Sequence, residues 1–279
     1  EICACLVGSE MCIRDRDAAV DKYVKRIESQ YEALLNKTVA KTGVDLVVND
    51  PETGKRIIRK QESNLGDLCA DAYRELLDAD IAFVNGGGIR ATISKGSITY
   101  GEIISVHPFG NMACSIEVTG QQILDALELG SMFTPDAESG GFLQVSGLTY
   151  EIHTYIPSSV TLDANKSFVG VTGARRVKNV MVGGEPIDVN KTYTLASHNY
   201  MLKDGGDGYA MFKGAKVVRD GVMIDNQVLI NYIKDALHGT VGSEYENPYG
   251  QGRIKLVAEA PANLSLIHIS EPTRHAQIS

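Results

Sequence analysis

The sequence predicts an α+β (mixed α/β) fold, a mixed sheet with helices packed against it. Three observations carry that reading. Short apolar runs rich in β-branched residues and segments of helical period both occur, and they mix without the strict alternation of a parallel α/β sheet. Clusters of Gly, Asn, Asp and Pro punctuate the chain between these segments. A hydrophobic content of 43% and a charged content of 22% are ordinary for a globular chain able to bury one substantial core.

The elements follow in order. Between Asp17 and Asn36, Val20, Tyr23, Val24, Ile27, Tyr31, Leu34 and Leu35 recur at helical spacing, with charge on the opposite face. Residues 38–48 are strand-like, and Asn49-Asp50-Pro51-Glu52-Thr53-Gly54 is a turn. Asn64 is the expected N-cap of a helix running through Leu77, whose apolar face is Leu65, Leu68, Cys69, Ala72 and Leu76. Ile81-Ala82-Phe83-Val84 predicts a buried strand over 80–84. Thr99 is placed to cap a short helix containing Ile103 and Ile104. A strand over 114–118 leads to Thr119, which caps a helix through Leu129. Further strands are expected at 141–145, 148–155, 177–182 and 193–198, with Val182-Gly183-Gly184-Glu185 as a hairpin turn. Residues 221–226 connect to a helix over 227–237, and 253–256 form a last strand.

Both ends read as foreign to this pattern. Residues 5–16 and 265–275 resemble sequencing adapter translated as coding sequence, so 1–16 and 265–279 are set aside as non-native. No apolar run approaches the length of a membrane span. The net charge of −8 argues against general nucleic-acid binding, where a basic face supplies most of the affinity. Cys69 and Cys114 sit in apolar surroundings and are expected as buried free thiols, and no Cys-x-x-Cys occurs.

Chemistry concentrates at Asn85-Gly86-Gly87-Gly88-Ile89-Arg90. Three consecutive glycines cost backbone entropy and pack no side chain, so their use is close approach of a ligand to the main chain. Arg90 adds a planar, permanently charged fork suited to phosphate or carboxylate. Read alone, the stretch is equally a tight turn with a surface arginine, and it matches neither the P-loop nor the dinucleotide pattern. The histidines His107, His153, His198 and His238 are far apart, with no metal-ligand spacing, and are expected as packing or surface residues. No metal ligand and no catalytic residue is therefore assigned to this chain.

Five motifs in this order resemble the C-terminal domain of the 5'-nucleotidase family. They are Glu62-Ser63-Asn64-Leu65-Gly66-Asp67-Leu68, the glycine loop, His107-Pro108-Phe109-Gly110-Asn111, Gly141-Phe142-Leu143-Gln144-Val145-Ser146-Gly147-Leu148 and Asp204-Gly205-Gly206-Asp207-Gly208-Tyr209. The likeness covers roughly residues 20–257. It implies an interdomain helix over 17–37, a substrate-binding domain over 38–258 and an exit linker over 259–264. It also implies a separate N-terminal metallophosphoesterase domain holding two divalent metal ions and the catalytic histidine, whose Asp-x-His and Gly-Asn-His-Glu patterns are absent here.

By the same resemblance, Arg59 and Arg90 grip phosphate beside Gly87 and Gly88, Phe109 stacks on the base, and Asn111 reads the base edge. Asn85 lines the same pocket and Asp207 accepts from ribose hydroxyls. The second stacking aromatic departs from the pattern: the family often has Phe six residues before that Asp, where this chain has Met201, with Tyr200 beside it. The function implied is nucleotide recognition for a two-metal phosphohydrolase acting on nucleoside monophosphates, in a secreted, periplasmic or cell-surface protein. A UDP-sugar hydrolase, a 2',3'-cyclic-nucleotide phosphodiesterase/3'-nucleotidase and a noncatalytic nucleotide-binding module stay open.

Overall fold

The computed structural model describes residues 17–260. The two ends set aside above, and 261–264 of the expected linker, lie outside the described residues. The chain opens on helix α1 (Ala18–Leu35), capped by Asp17, whose carboxylate accepts from the N–H groups of Ala19 and Val20. None of its residues is buried, and Val20, Tyr23 and Tyr31 are about 60% exposed. The apolar stripe seen in the sequence is therefore largely uncovered among the described residues, with Ile27 and Leu35 partly covered.

Next come β1 (Thr38–Thr42), α2 (Asn64–Leu77), β2 (Ile81–Asn85), β3 (Gly96–Thr99), α3 (Tyr100–Val106), β4 (Ala113–Thr119), α4 (Gly120–Ser131), β5 (Leu143–Ser146) and β6 (Leu148–His153). A hairpin of β7 (Val160–Leu162) and β8 (Phe168–Val171) leads to β9 (Val177–Val182), β10 (Glu185–Pro186), β11 (Thr192–His198) and the single-turn α5 (Asn199–Leu202). The described chain finishes with β12 (Val217–Arg219), α6 (Asp225–Asn231), β13 (Thr240–Val241) and β14 (Ile254–Val257). Thr99 and Thr119 form complete capping boxes with Glu102 and Gln122.

A five-stranded sheet of order β12-β4-β11-β2-β5 is the centre of the fold. Only β11 and β2 are parallel within it. Strand β2 is buried at every position, and its period-2 alternation sends its side chains to two cores. Ala82 and Val84 join Leu65, Leu68 and Ala72 of α2 and Val228 and Leu229 of α6. Ile81 and Phe83 join Ile123 and Leu127 of α4 and the four-stranded sheet β10-β9-β6-β14. A small sheet of order β13-β1-β3 adds Ala40, Ile98 and Val241 to the first core.

Two expectations are corrected. Residues 38–48 are not one strand, since β1 stops at Thr42 before Gly43 and the chain then makes single bridges at Leu46 and Asn49. Asn64 is not the N-cap of α2. Ser63 caps it, accepting from Gly66 N–H at 3.1 Å. Asn64 instead accepts from Val47 N–H at 2.9 Å and donates to the carbonyls of Asp45 and Tyr245 at 2.8 Å, tying three segments together. Cys69 and Cys114 are buried and free, and burial pushes both thiols up, Cys114 to about 12.

The Glu62 motif clasps the end of the described chain. Buried Glu62 accepts from the N–H groups of Gln251, Arg253 and Ile254 at 2.7, 3.0 and 2.7 Å. Asp67 accepts a second contact from Gln251 N–H at 2.9 Å, and Arg253 grips Asp71 with two parallel bonds of 2.8 and 2.7 Å. Burial pushes the Asp67 carboxyl up, with the Arg253 guanidinium pulling against it.

Candidate functional site

The parallel pair β2 and β11 ends on the same edge of the sheet. Asn85 closes β2, and His198 closes β11 just before Tyr200. Carboxyl ends of neighbouring parallel strands are where an open sheet presents loops to a ligand. The glycine loop starts here. Gly86 donates to Phe142 O at 2.7 Å, Gly87 to Gly140 O at 2.8 Å and Gly88 to Asn85 O at 2.8 Å. A Cβ on Gly86 would lie 2.2 Å from Ile58 O, and one on Gly87 3.0 Å from Gly140 Cα. The loop thus threads between the turn bearing Arg59 and the segment 139–141, a gap that admits no side chain. Ser139 N–H donates to Arg59 O at 2.9 Å and closes the other side of that gap.

A cavity of about 330 Å³ opens over this loop. That lies at the lower end of the roughly 300–1,000 Å³ usual for small-molecule sites. Arg59, Asn85, Gly87, Gly88, Phe109, Asn111, Tyr200 and Asp207 all line it, together with Gly140. Arg90 borders it. Its guanidinium donates to Gly87 O at 3.4 Å and stands 5.8 Å from the centre of the Phe109 ring. The charged fork and the benzyl group therefore share one concave face.

Part of the cavity's surround is cationic. Arg56, beside Arg59 and Arg90, donates to Ile89 O at 2.8 Å, and burial and then the charges of Arg59 and Arg90 push its guanidinium down. The buried Nε atoms of Arg56 and Arg59 have no hydrogen-bond partner, and neither Arg59 nor Arg90 forms an ion pair among the described residues. Clustered guanidiniums that form no ion pair among the described residues suit an anion held in the cavity.

Acidic and aromatic side chains complete the lining. Asp207 sits at φ 52°, between Gly206 and Gly208, with its carboxylate turned inward. Asn85 Nδ2 donates to Asp207 Oδ2 at 2.6 Å, and the Tyr200 hydroxyl donates to Oδ1 at 3.0 Å. Burial and the Asp207 charge hold the Tyr200 phenol above its usual range, so it stays a donor. The Tyr200 ring lies directly over Gly206, where a Cβ would come within 2.3 Å of it. Phe109 is 59% and Tyr200 39% exposed, leaving ring faces free to stack. Asn111 is fixed through its backbone, which exchanges hydrogen bonds with buried Asp225 at 3.0 and 2.8 Å.

Met201 is the correction. It is fully buried in the second core, where Ser197 Oγ approaches its sulfur at 3.9 Å, and it does not line the cavity. The helical turn of α5 points residue 200 outward and 201 inward. Sequence reasoning missed Gly140, a glycine with no pattern of its own, and the support given by His198, whose Nε2 lies 3.1 Å from Asn85 Oδ1. His107 is buried beneath the loop, and burial lowers it to about 4 while the Gly88 backbone pulls the other way. Among the described residues no three His, Cys, Asp or Glu side chains converge as a metal site would require.

Residues 39–214 match the family described as 5'-nucleotidase, C-terminal domain. The chain is 34% identical over 243 residues to the trifunctional nucleotide phosphoesterase protein YfkN of Bacillus subtilis, covering 83% of this chain and 15% of that protein. It is 29% identical over 237 residues to a cell wall protein of Listeria monocytogenes, covering 78% of this chain and 27% of the relative. Among solved structures, a 5'-nucleotidase precursor from Thermus thermophilus matches with a TM-score of 0.68 and 30% identity, over 88% of this chain and 44% of the other. The chain thus spans less than half the length of these relatives.

Proposed function

This chain belongs to the 5'-nucleotidase C-terminal domain family, and from that premise we propose that it recognises nucleoside monophosphates for a phosphohydrolase that removes their phosphate. The observation that carries the reading is a single cavity that gathers the Arg59 guanidinium, the Phe109 ring with Arg90 against it, and the Asp207 carboxylate oriented by Tyr200. Arg59 and Arg90 hold the phosphate as a charge-assisted clamp, with Gly87 and Gly88 letting it approach the main chain. Phe109 and Tyr200 take the base between them, which accepts any base face without edge readout. Asn111 meets the base edge, Asn85 lines the pocket, and Asp207 accepts from the ribose.

Divalent ions that activate water and stabilise the departing oxygen would be held by a metallophosphoesterase domain outside the described residues, which themselves bring no three metal-ligating side chains together. The role of residues 38–258 is positioning and specificity. A secreted or cell-surface setting agrees with the cell wall relative. No helix among the described residues is long and apolar enough to cross a membrane.

Calorimetric titration with AMP tests this. Binding is expected, and Phe109→Ala or Asp207→Ala is expected to weaken it about tenfold. The chain is expected to release no phosphate from AMP with added magnesium or manganese. AMP binding unchanged in a Phe109→Ala/Asp207→Ala double variant, or metal-dependent phosphate release, would overturn the reading. Since one relative is named trifunctional, the panel includes 3'-AMP, 2',3'-cyclic AMP and UDP-glucose.

A further inference from the structure

His198 closes β11 only 3% exposed, its ring standing between Tyr73 and Tyr200 with centroids 6.1 Å from each. Its Nδ1 is buried and meets no other residue, so among the described residues its one hydrogen bond to another side chain is the 3.1 Å contact of Nε2 with Asn85 Oδ1. Two groups fix the sense of that bond. Asp207, which forms no ion pair among the described residues, offers only acceptors to Asn85 at 2.6 Å. The Asn85 amide must therefore turn its NH₂ to Asp207 and its oxygen to His198, and His198 must carry its proton on Nε2. Burial lowers His198 to about 3, with His107 adding to the effect, so the ring stays neutral at working pH.

We propose that His198 is a positioning residue that locks the Asn85 amide and, through it, aims the Asp207 carboxylate at the ribose hydroxyls. The inference rests on the reading of this cavity as a nucleotide site. Asp207 Oδ1 and Oδ2 each accept one hydrogen bond from the protein, from Tyr200 and from Asn85, and each keeps acceptor capacity for one of two vicinal hydroxyls. Asp207 stands on a left-handed backbone between glycines, so side-chain contacts rather than local backbone preference must hold its direction. Without a donor from His198, the buried Asn85 oxygen is orphaned, and the amide turns to satisfy it. Gly88 leaves room for that turn, since a Cβ there would sit only 2.8 Å from Asn85 Oδ1.

The test compares adenosine with 2',3'-dideoxyadenosine on the full chain and on His198→Phe and His198→Gln, by calorimetry. The wild type is expected to prefer adenosine by about tenfold to a hundredfold, the worth of one or two hydrogen bonds to a charged acceptor. His198→Phe should reduce the preference to about threefold or less with little change for the dideoxy ligand, and His198→Gln, which keeps an amide donor, should restore most of it. A merely structural role would weaken both ligands alike. Undiminished preference in His198→Phe, or equal wild-type affinity for the two ligands, overturns the inference. If the wild type binds neither nucleoside, the nucleotide reading rests on AMP, and it fails if AMP does not bind either. The tautomer then decides the His198 assignment alone, as it also does if His198→Phe does not fold. Nitrogen-15 NMR of the wild type should show His198 protonated on Nε2 and bare on Nδ1 at pH 7, and the opposite tautomer overturns it.

Discussion

Tyr200 and Met201 are adjacent in sequence and face opposite ways, one into the cavity and one into the core. Tyr200→Ala is expected to cost about 1–3 kcal/mol of AMP affinity, the usual worth of a stacking ring, with little loss of stability. Met201→Ala is expected to cost about 2–5 kcal/mol of folding stability and leave AMP affinity near wild type once folded. Calorimetry and urea unfolding check the pair, and the reverse pattern would restore Met201 to the pocket. The sequence alone could not separate them, because α5 spans a single turn and no period can be read from four residues. Phe109 and Asp207 were named through the family resemblance, and proline and glycine beside Phe109 also marked it as a loop residue rather than core. A solitary histidine such as His198 has no such marker, and its partner Asn85 lies 113 positions away.

At the scale of elements, the strongest sequence signals were caps and buried runs. Thr99 and Thr119 begin α3 and α4 as expected, and strand β2 lies within one residue of its expected place. Missed elements were short: β3, the β7–β8 hairpin, β12 and β13 have strands of only two to four residues, too few for a period to be read. The helix expected over 227–237 starts earlier, at Asp225, and continues past Asn231 in a wider π-type turn. The displacement of the α2 cap from Asn64 to Ser63 has an energetic consequence. Ser63→Ala removes one cap, worth about 1 kcal/mol. Asn64→Ala strips partners from Val47 N–H and from two carbonyls, and is expected to cost about 2–4 kcal/mol, because buried polar groups then go unmet. Denaturant midpoints of the two variants check that order.

For the whole molecule, the buried histidines set an acid limit. His107 is lowered to about 4 and His198 to about 3, below the 6.5 of an exposed imidazole. The unfolded chain therefore binds protons first as pH falls below 6.5, and stability contributed above that pH is lost down towards 4. Asp67, Glu128 and Asp225, pushed up by burial, act in the opposite sense, so a difference between variants isolates the histidine. The stability gap between wild type and His107→Gln is expected to move by about 2–3 kcal/mol in favour of the variant between pH 7 and pH 4, measured by urea unfolding at each pH. The clasp of Glu62 has a different consequence, one of timing. Its three amide donors lie 189 to 192 positions downstream, and an uncompensated carboxylate would be costly to bury before they arrive. During synthesis the segment carrying Arg59 is therefore expected to stay unsettled until residue 254 has left the ribosome, which protease protection of ribosome-arrested chains of increasing length would check.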